Sequence, residues 1–284
     1  MKTTSVNRKQ RADIARDSLD IFARGSYTNL HGHQVNIEKD LSVAILASKH
    51  YTADALKEIL GTMTNEPRFA TQVVVKNETS LSATNRLIEE GADNPLCLNF
   101  ASAKNPGGGF LGGSEAQEES LAKSSGLYPC IAQMTAMYEK NRNMHSSIYH
   151  DDMIYSPRVP VFRGDDYALL DSTYLASFIT APAVNLGALK KNEPHRLQEV
   201  AEIMQLRVNL VLALAQQHGH KQLVLGAWGC GVFANDPKDI AIYFANATSP
   251  DAPFHGAFEK IIFAVLDKSN SGTYSAFEAI FKNF

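Results

Sequence analysis

Cysteine is scarce in this chain: Cys97, Cys130 and Cys230 lie far apart, with no CxxC pair and no metal-ligand spacing to a histidine. That pattern excludes a disulfide framework and a zinc site, and the thiols read as reduced core residues, Cys230 being the one that lines a site. No metal and no cofactor is expected. An excess of charge of either sign is also lacking, since 27 basic against 30 acidic side chains leave a net charge of −3. A broad basic surface for duplex nucleic acid is thereby excluded, so no stable nucleic-acid partner is expected and a nucleotide-like ligand must be gripped in a local pocket. No apolar run approaches the roughly 18 residues of a membrane span, and the opening MKTTSVNRKQRADIARD has no signal-type apolar centre. A monomer resident in the cytoplasm, with no membrane association, is the expectation. The histidines form no pair in a ligand or triad context, Ser114 has no GxSxG around it, and there is no internal repeat or low-complexity linker.

What the chain does have is a large apolar share, 44% of 284 residues, enough for a sizeable core. Residues 11–22 place Ile14, Ser18, Leu19 and Phe22 on one side at helical spacing, 34–37 read as a short strand, 41–46 as an apolar patch of undefined type, and 54–60 as a helical turn or two ended by Gly61. Residues 1–70 are read as an accessory segment packed on a main domain at 71–284. From Thr71 strands and helices alternate, the pattern of an α/β layered sheet. Strands are expected at 72–76, 95–101, 177–182, 222–226 and 260–267, with an extended hairpin-like excursion at 153–157 and 159–162. Helices are expected at 81–90, 115–124, 129–142, 196–217, from 237 to 245 and at 274–281.

Two glycine loops directly follow strands. The first runs NFASAKNPGGG from Asn99 through Gly107, Gly108 and Gly109, then reaches Ser114 and the run Glu115 to Glu119, where a serine cap and early acids read as a helix start. The second is Trp228-Gly229-Cys230-Gly231-Val232-Phe233-Ala234-Asn235. Such loops bring backbone N–H groups close to a ligand, as a pyrophosphate requires. Glu118 and Glu119 form an acidic pair, and consecutive helix residues point about 100° apart. One of them can face a substrate while the other supports it, and cleavage of a glycosidic bond needs an acid for the leaving oxygen and a base for water. Asn99 and Asn105 flank the strand-loop junction, where each serves either a ribose hydroxyl or the turn. Tyr274 and Phe277 follow the last strand at a spacing that suits core packing.

The order GGG, seven residues, then Gln117-Glu118-Glu119, with NFASAKNPGGG and SLAKSSGLYP beside it, resembles the signature of microbial-type poly(ADP-ribose) glycohydrolases, and the likeness extends from about Arg11 to the C-terminus. The resemblance implies a macrodomain-like fold: an α/β three-layer sandwich with a mixed central sheet and an N-terminal helical accessory segment. It implies Glu119 as the acid/base residue, with Glu118 and Gln117 orienting the ribose and leaving group. It implies that Gly107 to Gly109 shape the catalytic side near the distal ribose, that Gly229 to Phe233 wrap the diphosphate with Phe233 against that ribose, and that Glu78 either meets the adenine amino group or serves as a plain helix cap. The activity implied is release of ADP-ribose from poly(ADP-ribose), the substrate being ADP-ribose carried on protein or DNA. Two alternatives stand beside it: hydrolysis of mono-ADP-ribose on a DNA base such as thymidine, and a reader that binds ADP-ribose without cutting it.

Overall fold

The computed structural model describes residues 6–63, 66–282 and 284. Helix α1 (Arg8–Arg24) is closed at its start by a reciprocal capping box between Asn7 and Gln10, and at its end by Gly25 in the left-handed conformation. A two-stranded hairpin, β1 (Ser26–Thr28) and β2 (Gln34–Asn36), follows. Next come α2 (Glu38–Ala47), β3 (Lys49–Tyr51) and α3 (Ala53–Thr62), whose N-cap is the hydroxyl of Thr52. The alternating region gives β4 (Gln72–Lys76), α4 (Ser80–Glu89), β5 (Leu96–Phe100), a single 3₁₀ turn at Phe110–Gly112, α5 (Gln117–Ser124), α6 (Leu127–Ala132) and α7 (Thr135–Asn143). A long hairpin of β6 (Met153–Arg163) and β7 (Leu169–Ala181) leads to α8 (Leu186–Asn192) and α9 (Val200–Gln217). The chain ends with β8 (Gln222–Gly226), α10 (Pro237–Thr248), β9 (Lys260–Ala264) and α11 (Thr273–Phe281).

The main sheet has seven strands in the order β3-β6-β7-β5-β8-β9-β4. The pairs from β7 through β5, β8 and β9 to β4 are parallel, and β6 runs antiparallel to both of its neighbours. Strand alternation divides the core into two layers. Leu96, Leu98, Leu223, Leu225, Ile261 and Phe263 face one side with α3, α9, α10 and α11, whereas Cys97, Val224 and Ile262 face the other with α4, α5, α6 and α7. Helices thus cover both faces, which explains why the central strands read as unbroken apolar runs. Each large strand side chain buried this way contributes about 1.5–3 kcal/mol.

Several expectations are corrected by this architecture. The patch at 41–46 is part of helix α2, and β7 starts eight residues before its expected position. The N-terminal segment is no separate layer, because β3 is an edge strand of the main sheet and pairs with β6. Phe277 is buried in the core, in keeping with the packing role read for it. No helix among the described residues is long and apolar enough to cross a membrane. The parallel strands β5, β8 and β9 lie side by side, so the loops leaving their carboxyl ends gather at one edge, where open α/β sheets place their ligands.

Candidate active site

The first glycine loop is folded so that its backbone rests on the carboxylates of α5. Asn105 carbonyl accepts from Gly108 N–H (3.0 Å), closing the bend after β5. At Gly108 φ is +60°, and a Cβ would overlap the Glu119 carboxylate and lie 3.2 Å from Glu118 Oε2, so glycine alone fits. Gly107 packs against the rings of Phe110 and Tyr128, and Gly109 against Ser114. The expected serine cap is displaced: α5 starts at Gln117 with Ala116 at its N-cap and no capping side chain, while Ser114 stands two residues earlier beside Gly109.

The two glutamates have different surroundings. Glu118 is 3% exposed, and it accepts from Ser102 N–H (2.7 Å), Gly107 N–H (3.2 Å) and Asn99 Nδ2 (3.3 Å). Burial pushes its carboxyl up to about 8; the Ser102 and Asn99 donors oppose the rise, and the charge of Glu119 adds to it. Glu119 is half-buried, its Oε1 accepting from Gly109 N–H at 2.9 Å, and Oε2 has no partner among the described residues. Gln117 uses both ends of its amide on the scaffold, accepting from Phe100 N–H (2.9 Å) and donating to Leu98 carbonyl (2.7 Å) and Ser80 Oγ (3.1 Å). It therefore binds α5 to β5 and α4, at the floor of the cleft.

Asn99 is fully buried and lies behind Glu118, its Nδ2 shared with Thr180 Oγ1, outside the cleft lining. Its place fits a support of Glu118 and not a ribose contact. Asn105 is exposed and lines the cleft. Glu78 also lines it, with its carboxylate ion-paired to Arg86 at 2.5 Å. In the second loop, the Trp228 indole is buried and donates to Ala181 carbonyl (3.0 Å). Gly229 has φ +76°, and a Cβ there would come within 2.6 Å of both Ala183 and the Asn235 amide. Asn235 holds the loop closed by donating to the carbonyls of Val184 (2.8 Å) and Gly229 (3.1 Å). The N–H groups of Gly229, Gly231, Val232 and Phe233 have no acceptor among the described residues. Unpaired N–H groups on successive residues are the kind of donors an anion can take up. Val232 is 88% exposed, Phe233 stands against Tyr149 with ring centroids 5.9 Å apart, and burial raises the Cys230 thiol to about 12, which leaves it inert.

Both loops line one cleft of about 950 Å³ that also contains Glu78, Gln117, Glu118 and Glu119. Two further walls were not foreseen. One is the segment after β9, with Leu266, Asp267, Lys268 and Ser269; Asp267 there accepts from the N–H groups of Ser271, Gly272 and Tyr274. The aspartate at the strand end, with Ser and Gly four and five residues on, was its sequence signal. The other is Asp165 and Tyr167 from the β6–β7 turn, which no local pattern marks. Acidic side chains outnumber basic ones in the lining, Lys268 being its single Lys or Arg among the described residues. Among the described residues no group of three His, Cys, Asp or Glu is gathered to hold a metal. The site is thus equipped for acid/base work by carboxylates and for anion binding by backbone N–H groups.

Fold and cleft together define a macrodomain-like sandwich with a carboxylate-bearing glycine loop, and the comparisons with known proteins agree. The family described as microbial-type PARG, catalytic domain, matches residues 15–164. The crystal structure of poly(ADP-ribose) glycohydrolase from Thermomonospora curvata is 39% identical, with a TM-score of 0.93 over 96% of this chain and 100% of that one. The T. curvata protein bound to the inhibitor ADP-HPD gives 39% identity over the same shares, with a TM-score of 0.90. Poly(ADP-ribose) glycohydrolase from Deinococcus radiodurans in complex with ADP-ribose is 40% identical, with a TM-score of 0.80 over 84% of this chain and 96% of that one. No curated protein matches the sequence. The chain belongs to the microbial-type poly(ADP-ribose) glycohydrolase family.

Proposed function

We infer that this protein hydrolyses the glycosidic bonds of poly(ADP-ribose) and releases ADP-ribose. The observation that carries the reading is the half-buried Glu119 carboxylate, fastened to the glycine loop in a cleft whose opposite wall offers unpaired N–H groups. In the proposed mechanism the diphosphate lies on the loop from Gly229 to Phe233. Those N–H groups neutralise it, since the cleft supplies little cationic side-chain charge. Phe233 closes on the distal ribose, Glu78 meets adenine with its carboxylate oriented by Arg86, and the Asn105 turn borders the sugar. Protonated Glu119 gives its proton to the departing ribose oxygen as the bond to C1″ breaks. The resulting carboxylate then takes a proton from the water that attacks C1″, yielding ADP-ribose and restoring the acid. Glu118 stands beside it as the second carboxyl, buried and fed by three N–H donors, and orients the ribose through its neighbours.

Glu119→Gln keeps the shape and removes the titrating group. It is expected to abolish release of ADP-ribose from automodified polymerase while ADP-ribose binding stays measurable by calorimetry; retained turnover overturns the mechanism. Loss of both binding and turnover would instead describe a folding defect, which circular dichroism reads directly. The same assay on a thymidine-linked ADP-ribosyl oligonucleotide sets the substrate, and release from the oligonucleotide in preference to the polymer overturns the polymer reading. Binding without release by the unaltered protein would make it a reader. A cytoplasmic monomer acting on ADP-ribosylated protein or DNA completes the proposal, and the three free thiols suit a reducing compartment.

A further inference from the structure

One buried cation beside the site has no part in the steps above. Lys123, in the last turn of α5, is 0% exposed, and no carboxylate lies within ion-pairing distance of its ammonium among the described residues. Its Nζ donates to the carbonyl of Ser114 (3.3 Å) and sits 4.9 Å from the centroid of the Tyr167 ring, which roofs it. The Lys123 backbone is fixed as well, its carbonyl accepting from Ser18 Oγ of α1 at 2.7 Å. Lys123 stands four residues after Glu119 on one helix, so the two side chains occupy the same face. An unpaired ammonium under a protein surface is costly, and a methionine would fill the same volume without that cost. Volume alone therefore does not explain a lysine at this position.

We propose that Lys123 is a positioning residue for the reaction: its ammonium ties down the Ser114 carbonyl ahead of α5 and offsets the negative charge of Glu115 and Glu119, which holds the Glu119 carboxyl in place against the glycine loop. The proposal rests on the assignment of Glu119 as acid/base. Around Lys123 the charged and titratable groups are Glu119 on α5, Glu115 in the preceding loop, Arg11 of α1 paired to Glu115 (3.0 Å), and Tyr167, whose hydroxyl donates to Glu115 (3.4 Å). Arg163 of β6 donates to the Tyr167 carbonyl (3.1 Å) and is itself paired to Asp17. With Glu115, Glu118 and Glu119 gathered along one cleft, a nearby cation offsets their mutual repulsion and steadies the start of α5. Burial pulls Lys123 itself down to about 8, Glu115 and Glu119 opposing the fall, so the charge is present at neutral pH.

The test uses Lys123→Met and Lys123→Arg in the full chain, assayed beside Glu119→Gln. For Lys123→Met, kcat is expected to fall about tenfold while ADP-ribose affinity by calorimetry stays within about threefold. Lys123→Arg, which keeps the charge, restores kcat to within about twofold of the parent, and the melting temperature of Lys123→Met does not drop below that of the parent. Parental kcat in Lys123→Met, or a kcat in Lys123→Arg as low as in Lys123→Met, overturns the role of Lys123 while Glu119→Gln remains inactive. Turnover by Glu119→Gln overturns the assignment of Glu119 instead. Should the methionine variant fail to fold, Lys123→Gln, neutral and polar, carries the same two measurements with the same deciding outcomes.

Discussion

A single missing side chain sets the position of the Glu119 carboxylate. The Cβ of an alanine at Gly108 would need the space held by Glu119 Oε1, and φ +60° adds strain to any L side chain there. Gly108→Ala is expected to reduce kcat about a hundredfold, as displaced catalytic groups do. Its melting temperature falls as well, since the strained alanine costs about 1–3 kcal/mol of stability. Steady-state kinetics and a thermal melt on one preparation separate the two effects. The neighbouring glutamate illustrates the same dependence on detail: one residue earlier on the helix, Glu118 is sealed from water and held by three donors, whereas Glu119 keeps a free oxygen in the cleft.

At the scale of elements, the edge of the sheet is fastened by a buried carboxylate. Asp152, just before β6, is 0% exposed and accepts from Lys140 of α7 (2.8 Å), His50 of β3 (3.0 Å) and the N–H of Ala53 at the start of α3 (3.0 Å). Burial alone would raise its pKa, but the hydrogen bonds from His50, Lys140 and Ala53 outweigh it and hold the carboxyl at about 2. A folded value below the unfolded one means that the stabilisation is complete above the unfolded pKa near 3.8 and is lost as pH falls through about 2. Asp152→Asn is expected to cost about 2–3 kcal/mol in urea unfolding at pH 7, with the gap to the parent closing near pH 2. Most elements of the central sheet were legible, because β4, β5, β8 and β9 are short apolar runs between caps and turns. The three-residue β3 has no room for a period, and the first half of β7 is a half-exposed, twisted hairpin arm whose polar residues read as loop. Both glycine loops and the glutamate pair were legible as local patterns. The places of Asn99 behind Glu118 and of Lys123 under Tyr167 come from packing between distant segments, which spacing along the chain does not encode.

Over the whole molecule, the N-terminal helix is a buttress of the turn that follows the first glycine loop. Arg8 donates to the Gly112 carbonyl (2.9 Å), Arg11 donates to the Gly113 carbonyl (2.9 Å) and pairs with Glu115, and Gly113 lies so close to the Arg8 backbone that a Cβ would overlap it. A segment in which the sequence marks no chemistry thus holds the turn from which α5 departs. Arg11→Ala is expected to lower kcat about fivefold to tenfold, with ADP-ribose affinity little changed, and calorimetry set against turnover checks that division. The two ligand-facing loops leave β5 and β8, strands that touch in space yet are parted along the chain by the long hairpin, α8 and α9. A growing polypeptide therefore has one half of its grip long before the other. Ligand affinity should be absent from nascent chains until β8 docks beside β5, making ADP-ribose a reporter of completed folding and a stabiliser of the finished state alone.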